Sequence, residues 1–236
     1  MKYCIYSICL ILSVRATAQQ KNLGTWHVVN AQYNINKNWF VWGEVQTRSQ
    51  KFFDDFFYYE TKGGAGLNIG KNFSFLAGTG RYATYSNNGN FKTPFANEEF
   101  RLWQQFVISS YVHQVKFEHR YRIEQRWLTN GGYRNRYRYR FNVFLPLNNK
   151  KIEAKTFFLN AYDEIFLTNK APHFERNRVF AGAGYMPDKD ITLLAGYLHQ
   201  YDYTPSVSTA KNFIQFSLLL QLHQDGKTER LPQIMD

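Results

Sequence analysis

Two consecutive stretches, Lys116–Trp127 and Tyr133–Leu145, alternate charged and apolar residues over their whole length. In the first, Lys116, Glu118, Arg120, Arg122, Glu124 and Arg126 share one parity, against Phe117, Tyr121, Ile123 and Trp127 on the other. In the second, Arg134, Arg136, Arg138 and Arg140 oppose Tyr133, Tyr137, Tyr139, Phe141, Val143 and Leu145. A period of two places successive side chains on opposite faces of a strand, so each stretch predicts a strand with one charged and one greasy face. Soluble strands run about 5–6 residues, whereas a strand crossing a bilayer needs roughly 9–11, apolar toward lipid and polar toward the lumen. These stretches have the second length and the second pattern.

Eleven segments read as strands: Thr25–Asn34, Trp39–Arg48, Phe56–Asn68, Phe73–Tyr85, Glu98–Val112, Val115–Trp127, Tyr133–Leu145, Thr156–Leu167, Glu175–Tyr185, Ile191–Asp202 and Asn212–His223. Short connections rich in Asn, Gly, Pro and Asp alternate with longer polar ones, the asymmetry of outer-membrane barrels. The expected fold is all-β, a single antiparallel transmembrane barrel of about 10–12 strands. Because bacterial single-chain barrels carry even strand numbers, the eleven segments predict either ten strands, with Thr25–Asn34 not spanning, or twelve. Glycines inside strands, among them Gly64, Gly66, Gly78, Gly182 and Gly184, predict tight curvature or close backbone approach.

The ends add a compartment. Lys2, the apolar Tyr3–Val14 and Ala16-Thr17-Ala18 form the three regions of a secretory signal. The predicted division is residues 1–18 as a cleaved signal, 19–224 as the barrel and 225–236 as a polar tail. Both cysteines, Cys4 and Cys9, lie in the signal, which excludes disulfides, thiol nucleophiles and cysteine-bound metals from the mature chain. That chain would hold 27 basic and 18 acidic residues, a net charge of +9. In an exported protein such a balance points to lipopolysaccharide phosphates, anionic solutes or internal pairing rather than nucleic acid. No apolar run after the signal reaches the ~18 residues of a helical span, and only helices and closed barrels satisfy every backbone group in lipid. Aromatics at 18% of the chain suit interfacial girdles.

The runs Glu118–Trp127, Tyr133–Arg140, Tyr162–Phe166 and Phe174–Arg178 resemble the uncharacterised Gram-negative outer-membrane family called domain of unknown function 2490. The resemblance covers essentially the whole mature chain. It implies an outer-membrane β-barrel and carries over no catalytic residue and no ligand.

The candidate site is the charged stripe: Arg120, Arg122, Glu124, Arg126, Arg134, Arg136, Arg138, Arg140, Glu164, Arg176 and Arg178. If residues 126 and 134 pair across the short hairpin, Arg122 faces Arg138, Arg120 faces Arg140, Glu124 faces Arg136 and Glu118 faces Asn142. Like charges directly opposite are unfavourable, so other partners are expected nearby: Arg176, Arg178 and Glu164 from the next two strands, and Glu60, Lys62, Glu99 and Arg101 from earlier ones. Two readings stay open: an ion-pair network filling a narrow lumen, or an arginine-lined pore or pocket for anions. A lipid hydrolase would draw on Ser109 or Ser110, His113, His119, His199, Asp163 and Asp202, which show no motif spacing, and the scattered histidines suggest no metal site. No catalytic residue and no cofactor is predicted. The expected partners are outer-membrane lipid and lipopolysaccharide, the barrel assembly machinery and small anionic solutes. The aromatic run Phe52–Tyr59 is read first as girdle and second as a ligand-gripping loop. A soluble lipocalin-like barrel would turn the two faces over.

Overall fold

The computed structural model describes residues 23–86, 90–92 and 95–223; the predicted signal with its two cysteines and the polar tail lie outside the described residues. The alternating segments become eleven strands: β1 (Leu23–Asn34), β2 (Trp39–Lys51), β3 (Asp54–Ile69), β4 (Phe73–Tyr85), β5 (Phe95–Val112), β6 (Val115–Leu128), β7 (Gly132–Pro146), β8 (Thr156–Thr168), β9 (Phe174–Met186), β10 (Ile191–Tyr203) and β11 (Ser208–His223). Each pairs antiparallel with its chain neighbours, and β1 closes on β11 to complete a barrel. Strand direction alternates along the chain, so an odd count leaves the first and last strands running the same way. The closing pair is accordingly parallel, with Leu23 beside Asn212 and Asn34 beside His223. This corrects the expectation of a wholly antiparallel barrel with an even count. Thr25–Asn34 is a full strand, and the seam is what accommodates it.

The faces follow the parity read in the sequence. Arg122 and Arg140 are 1% exposed and Glu124 and Glu164 are fully buried, all facing the lumen. Val45, Ile123, Phe157 and Leu193 point outward and are about half exposed, at 51%, 45%, 54% and 47%. The barrel is therefore polar inside and greasy outside, the reverse of a lipocalin-like arrangement. A 13-residue strand such as β2 spans about 43 Å along its axis, or roughly 33 Å of height at a tilt of about 40°. That exceeds the ~25 Å apolar band of membrane barrels. Among the described residues no helix is long and apolar enough to cross a membrane.

The connections differ from expectation. One rim, called lower, carries 35–38, 70–72, 113–114, 147–155 and 187–190; the upper rim carries 52–53, 86–94, 129–131, 169–173 and 204–207. Each rim has one nine-residue connection and otherwise short ones, so the long-loop and short-turn asymmetry is absent. The polar segments read as loops are strand: β2 runs on to Lys51, β5 starts at Phe95 and β11 at Ser208. The upper rim is distinguished instead by three register shifts. Arg48 pairs with Tyr58 and Ser49 with Phe56, leaving Phe57 as an extra residue. Thr84 and Tyr85 skip Ala96, and Phe166 and Leu167 skip Glu175. Such bulges bend a strand, re-aim side chains and favour barrel rims and functional sites.

The lower half of the lumen is filled by rings seated on glycines. A Cβ on Gly66 would lie 2.1 Å from the Phe40 ring, and one on Gly184 would lie 2.2 Å from the Phe158 ring. The close approach expected of these glycines is thus made by aromatic side chains lying against the barrel wall. Phe40, Trp42, Leu76 and Trp103 form one buried cluster. Ile152, from the nine-residue lower connection, joins Phe144, Phe158, Met186, Leu194 and Leu219 in another.

Candidate functional site

The hairpin β6–β7 has the register read from the sequence: Arg126 opposite Arg134, Glu124 opposite Arg136, Arg122 opposite Arg138, Arg120 opposite Arg140 and Glu118 opposite Asn142. The pairs Arg122–Arg138 and Arg120–Arg140 are resolved by two buried carboxylates acting as hubs, while Arg126 turns to Glu99 and Glu175. Glu124 accepts from Arg136 Nε at 2.9 Å and Arg138 Nη1 at 2.8 Å, with Arg101 Nη1 at 3.5 Å and Arg122 Nη1 at 3.8 Å. Glu164, on β8 opposite Arg140, accepts from Arg138 Nε at 2.9 Å and Arg140 Nη2 at 2.8 Å. It also takes Arg120 as a close partner, and Arg178 Nη1 stands at 3.8 Å. Each hub serves four arginines, and Arg138 bridges the two. Charge-assisted, partly bidentate bonds of this kind are about twice as strong as neutral ones, and they compensate charges that could not otherwise leave water.

Two hubs do not neutralise so many guanidiniums, and most of the same arginines also rest on aromatic faces. Phe166, buried completely, has Arg138 at 4.6 Å and Arg178 at 4.7 Å from its ring centre, with Arg136 and Arg176 at 5.2 and 5.6 Å. Arg122 lies over Trp103 at 4.6 Å, Arg140 over Tyr162 at 4.0 Å, Arg101 over Tyr82 at 3.6 Å and Arg48 over Trp26 at 3.5 Å. A cation over a π-face gains roughly 0.5–2 kcal/mol, most when both are desolvated. Tyr162 and Phe166 share the inward parity of Glu164 on β8, and Trp103 that of Arg101 on β5, a signal that the reading of aromatics as outer girdle passed over.

Above the hubs the lumen opens toward the upper rim as a recess of about 140 Å³. Arg48, Arg101, Arg126, Arg136, Arg138, Arg176, Arg178 and Lys211 line it against the carboxylates of Glu60, Glu99 and Asp202. The bulges shape this mouth. Glu175, extra in β9, turns inward beside Arg176 and binds both Arg126 Nη1 and Arg136 Nη1 at 3.0 Å. Strict alternation from Arg176 puts Glu175 on the outer face, and the sequence reading did not name it. Phe57 and Tyr58 both turn inward as well, and Tyr58 donates a short hydrogen bond to Glu60. The run Phe52–Tyr59 is therefore split: Phe53 packs outward against His27 and Phe216, while Phe57 and Tyr58 line the recess.

Residues 23–211 match the model of a family described as Protein of unknown function (DUF2490). The chain belongs to that family. No curated protein and no solved structure matches it. The family brings no assigned activity, so for this member the chemistry has to be read from the geometry alone.

All eleven predicted stripe residues fall on the inward parity of their strands, with Arg134 half-buried at the mouth. Arg134 Nε is buried without a hydrogen-bond partner among the described residues. The sequence reading did not name Arg48, Arg101, Glu99, Asp202 or Lys211 as part of the site, though Glu99 and Arg101 were expected near it. The residues of the hydrolase reading are scattered. Ser109 faces inward, where its hydroxyl stands 3.4 Å from Glu118; Ser110 is exposed; His113 sits in a lower turn. His119 bonds Tyr139 on the outer face, His199 bonds Asn212, and Asp163 bonds Asn177. Asp202 is held by Arg176 in the recess. Among the described residues no cluster of three His, Cys, Asp or Glu side chains could hold a metal ion.

Proposed function

We propose that this protein is an outer-membrane β-barrel whose lumen is closed to ion flow at mid-height and open at the upper rim as a cationic recess. The observation that supports it is the reversal of faces: charges at 0–1% exposure inside, aliphatic and aromatic side chains about half exposed outside. Burying that outer surface is favourable only against lipid, since soluble proteins rarely leave so continuous an apolar belt in water. The hub layer supports closure. A layer of charged side chains buried from water offers no aqueous path, and conduction through charged rings needs one. The predicted signal, export to the outer membrane, contact with lipopolysaccharide and insertion by the barrel assembly machinery belong to the same reading.

The test is single-channel recording of the refolded full barrel in a planar bilayer under a salt gradient. The expected result is a barrel that partitions into lipid, migrates as a heat-modifiable folded species and stays silent. Discrete steps reversing toward the anion potential would instead make the arginine stripe a selectivity element, the reading that the cation excess keeps in play. A barrel that remains monodisperse in water without detergent would overturn the membrane assignment.

A further inference from the structure

We infer that the upper recess is a binding site for a small multivalent oxyanion of the phosphate class. The inference deepens the closed-lumen reading and rests on it, because a recess with a sealed floor holds a solute where an open pore would pass it.

Three independent features carry it. The first is charge: eight cationic side chains line about 140 Å³, room for a phosphate group with water, together with Glu60, Glu99 and Asp202. Glu124, Glu164 and Glu175 neutralise some of these cations from behind the lining, a doubly charged anion offsets part of what remains, and guanidinium forks match its oxygens. The second is unused bonding capacity. Arg48 is only 6% exposed, its Nε has no hydrogen-bond partner among the described residues, and its two acceptors, Gln46 and Glu60, both stand at the long distance of 3.3 Å. Lys211, in the same wall, has its ammonium 5.0 Å from the Phe57 ring and no carboxylate within ion-pair distance among the described residues. A buried cationic donor left unbonded costs free energy that a bound oxyanion recovers. The third is shape: the bulge at Phe57 and the bulge beside Arg176 both turn side chains into this mouth, and among the described residues the lower rim has no such bulge. Arg176 is held by Asp202, so it frames the recess while Arg48 Nε and the Lys211 ammonium supply its donors.

The anion has two natural sources, dissolved phosphate and the phosphorylated headgroup of an outer-leaflet lipid. The experiment uses the full refolded barrel in detergent free of lipopolysaccharide. Equilibrium dialysis with labelled inorganic phosphate, and thermal unfolding with phosphate exchanged for chloride at constant ionic strength, measure binding directly. Saturable uptake of one phosphate per barrel and a raised melting temperature are expected, since a ligand that binds only the folded state stabilises it. Lys211→Gln removes a side chain that holds no ion pair among the described residues; it should fold as the wild type does, by its heat-modifiable migration, and weaken uptake by about tenfold, the loss of one charge-assisted bond. Lys150→Gln, exposed on the lower rim, should leave uptake unchanged. Competition by lipopolysaccharide would name the lipid headgroup as occupant, and uptake indifferent to it would name the free anion. No uptake by the wild-type barrel, or uptake untouched by Lys211→Gln, overturns the inference. A silent barrel without uptake sinks this inference alone. Conducting steps sink the closed-lumen reading, whatever the dialysis shows.

Discussion

The hairpin β6–β7 and the seam β1–β11 lie on opposite walls of the same lumen, and they are built from different chemistry. The hairpin presents Arg120, Arg122, Glu124, Arg126, Arg136, Arg138 and Arg140 inward. The seam presents Trp26, Val28, Asn30, Gln32 and Asn34 beside Phe213, Gln215, Ser217, Leu219 and Gln221, with no charge among them. The hairpin is local: a three-residue connection sets its register, and charge pairing with β8 confirms it. The seam joins strands nearly two hundred residues apart in the parallel arrangement, which is slightly weaker per residue than antiparallel pairing. Neutral amides and rings suit it, because they accept small errors of alignment without stranding a charge. The barrel concentrates its electrostatic specificity where the chain already dictates register and keeps its closure tolerant.

The sharpest way to break this contrast is to remove a hub. Glu164→Gln leaves Arg120, Arg138, Arg140 and Arg178 around a neutral amide whose NH₂ competes with their own donors. Removing one partner of a buried ion pair typically costs about 3–5 kcal/mol. Denaturant unfolding of the reconstituted barrel should show a loss of that size. A midpoint unchanged from wild type would mean that the aromatic faces alone hold the guanidiniums.

The seam is tested by covalent closure. Val29 and Leu218 are register partners across β1 and β11. Cysteines at both positions in the mature chain lie within the separation that a disulfide bridges, and oxidation should add about 2–4 kcal/mol. A ten-strand barrel lacking β1 would keep the thiols apart, so failure to crosslink in the folded state would count against the parallel closure.

These two regions were not equally legible. The hairpin could be read to the residue because alternation, a short loop and opposed charges all fixed one register. Strand positions followed for the same reason. The seam was hidden because nothing in β1 or β11 names its partner; the parity argument, drawn from even-stranded barrels, then favoured ten or twelve. The bulges were hidden for a related reason. Period-two reading carries a strand straight through, which leaves Glu175 and Phe57 on the outer parity, whereas an inserted residue turns both inward; Tyr58 shares the inward parity of Glu60, and only its place in an aromatic run drew it into the girdle reading. The recess followed them out of view, since it is assembled from the upper parts of nine strands and no local motif marks it.

A smaller loss is expected at the glycine that seats a ring. Gly184→Ala, also distant from the hubs, places a methyl against Phe158 and must displace it. Overpacking of a filled interior costs about 1–3 kcal/mol. Thermal unfolding should register that loss, and a neutral result would mean that Phe158 has another rotamer available.

The smallest effect belongs to the seam's interior. Gln215→Leu keeps the volume and removes an amide that accepts from the Tyr162 hydroxyl at 3.4 Å and donates to Ser217 Oγ at 2.9 Å. The first bond is long, and Tyr162 still carries the Arg140 guanidinium over its ring at 4.0 Å. Ser217 keeps its own rotatable donor. Replacing a weakly bonded neutral group by an apolar one of similar size should cost about 1 kcal/mol or less. Set beside Glu164→Gln in the same unfolding assay, the pair measures the contrast directly. A ratio of several-fold is what a tolerant seam and an exacting hairpin require. Equal losses would show that the parallel closure depends on its amides as strictly as the opposite wall depends on its carboxylates.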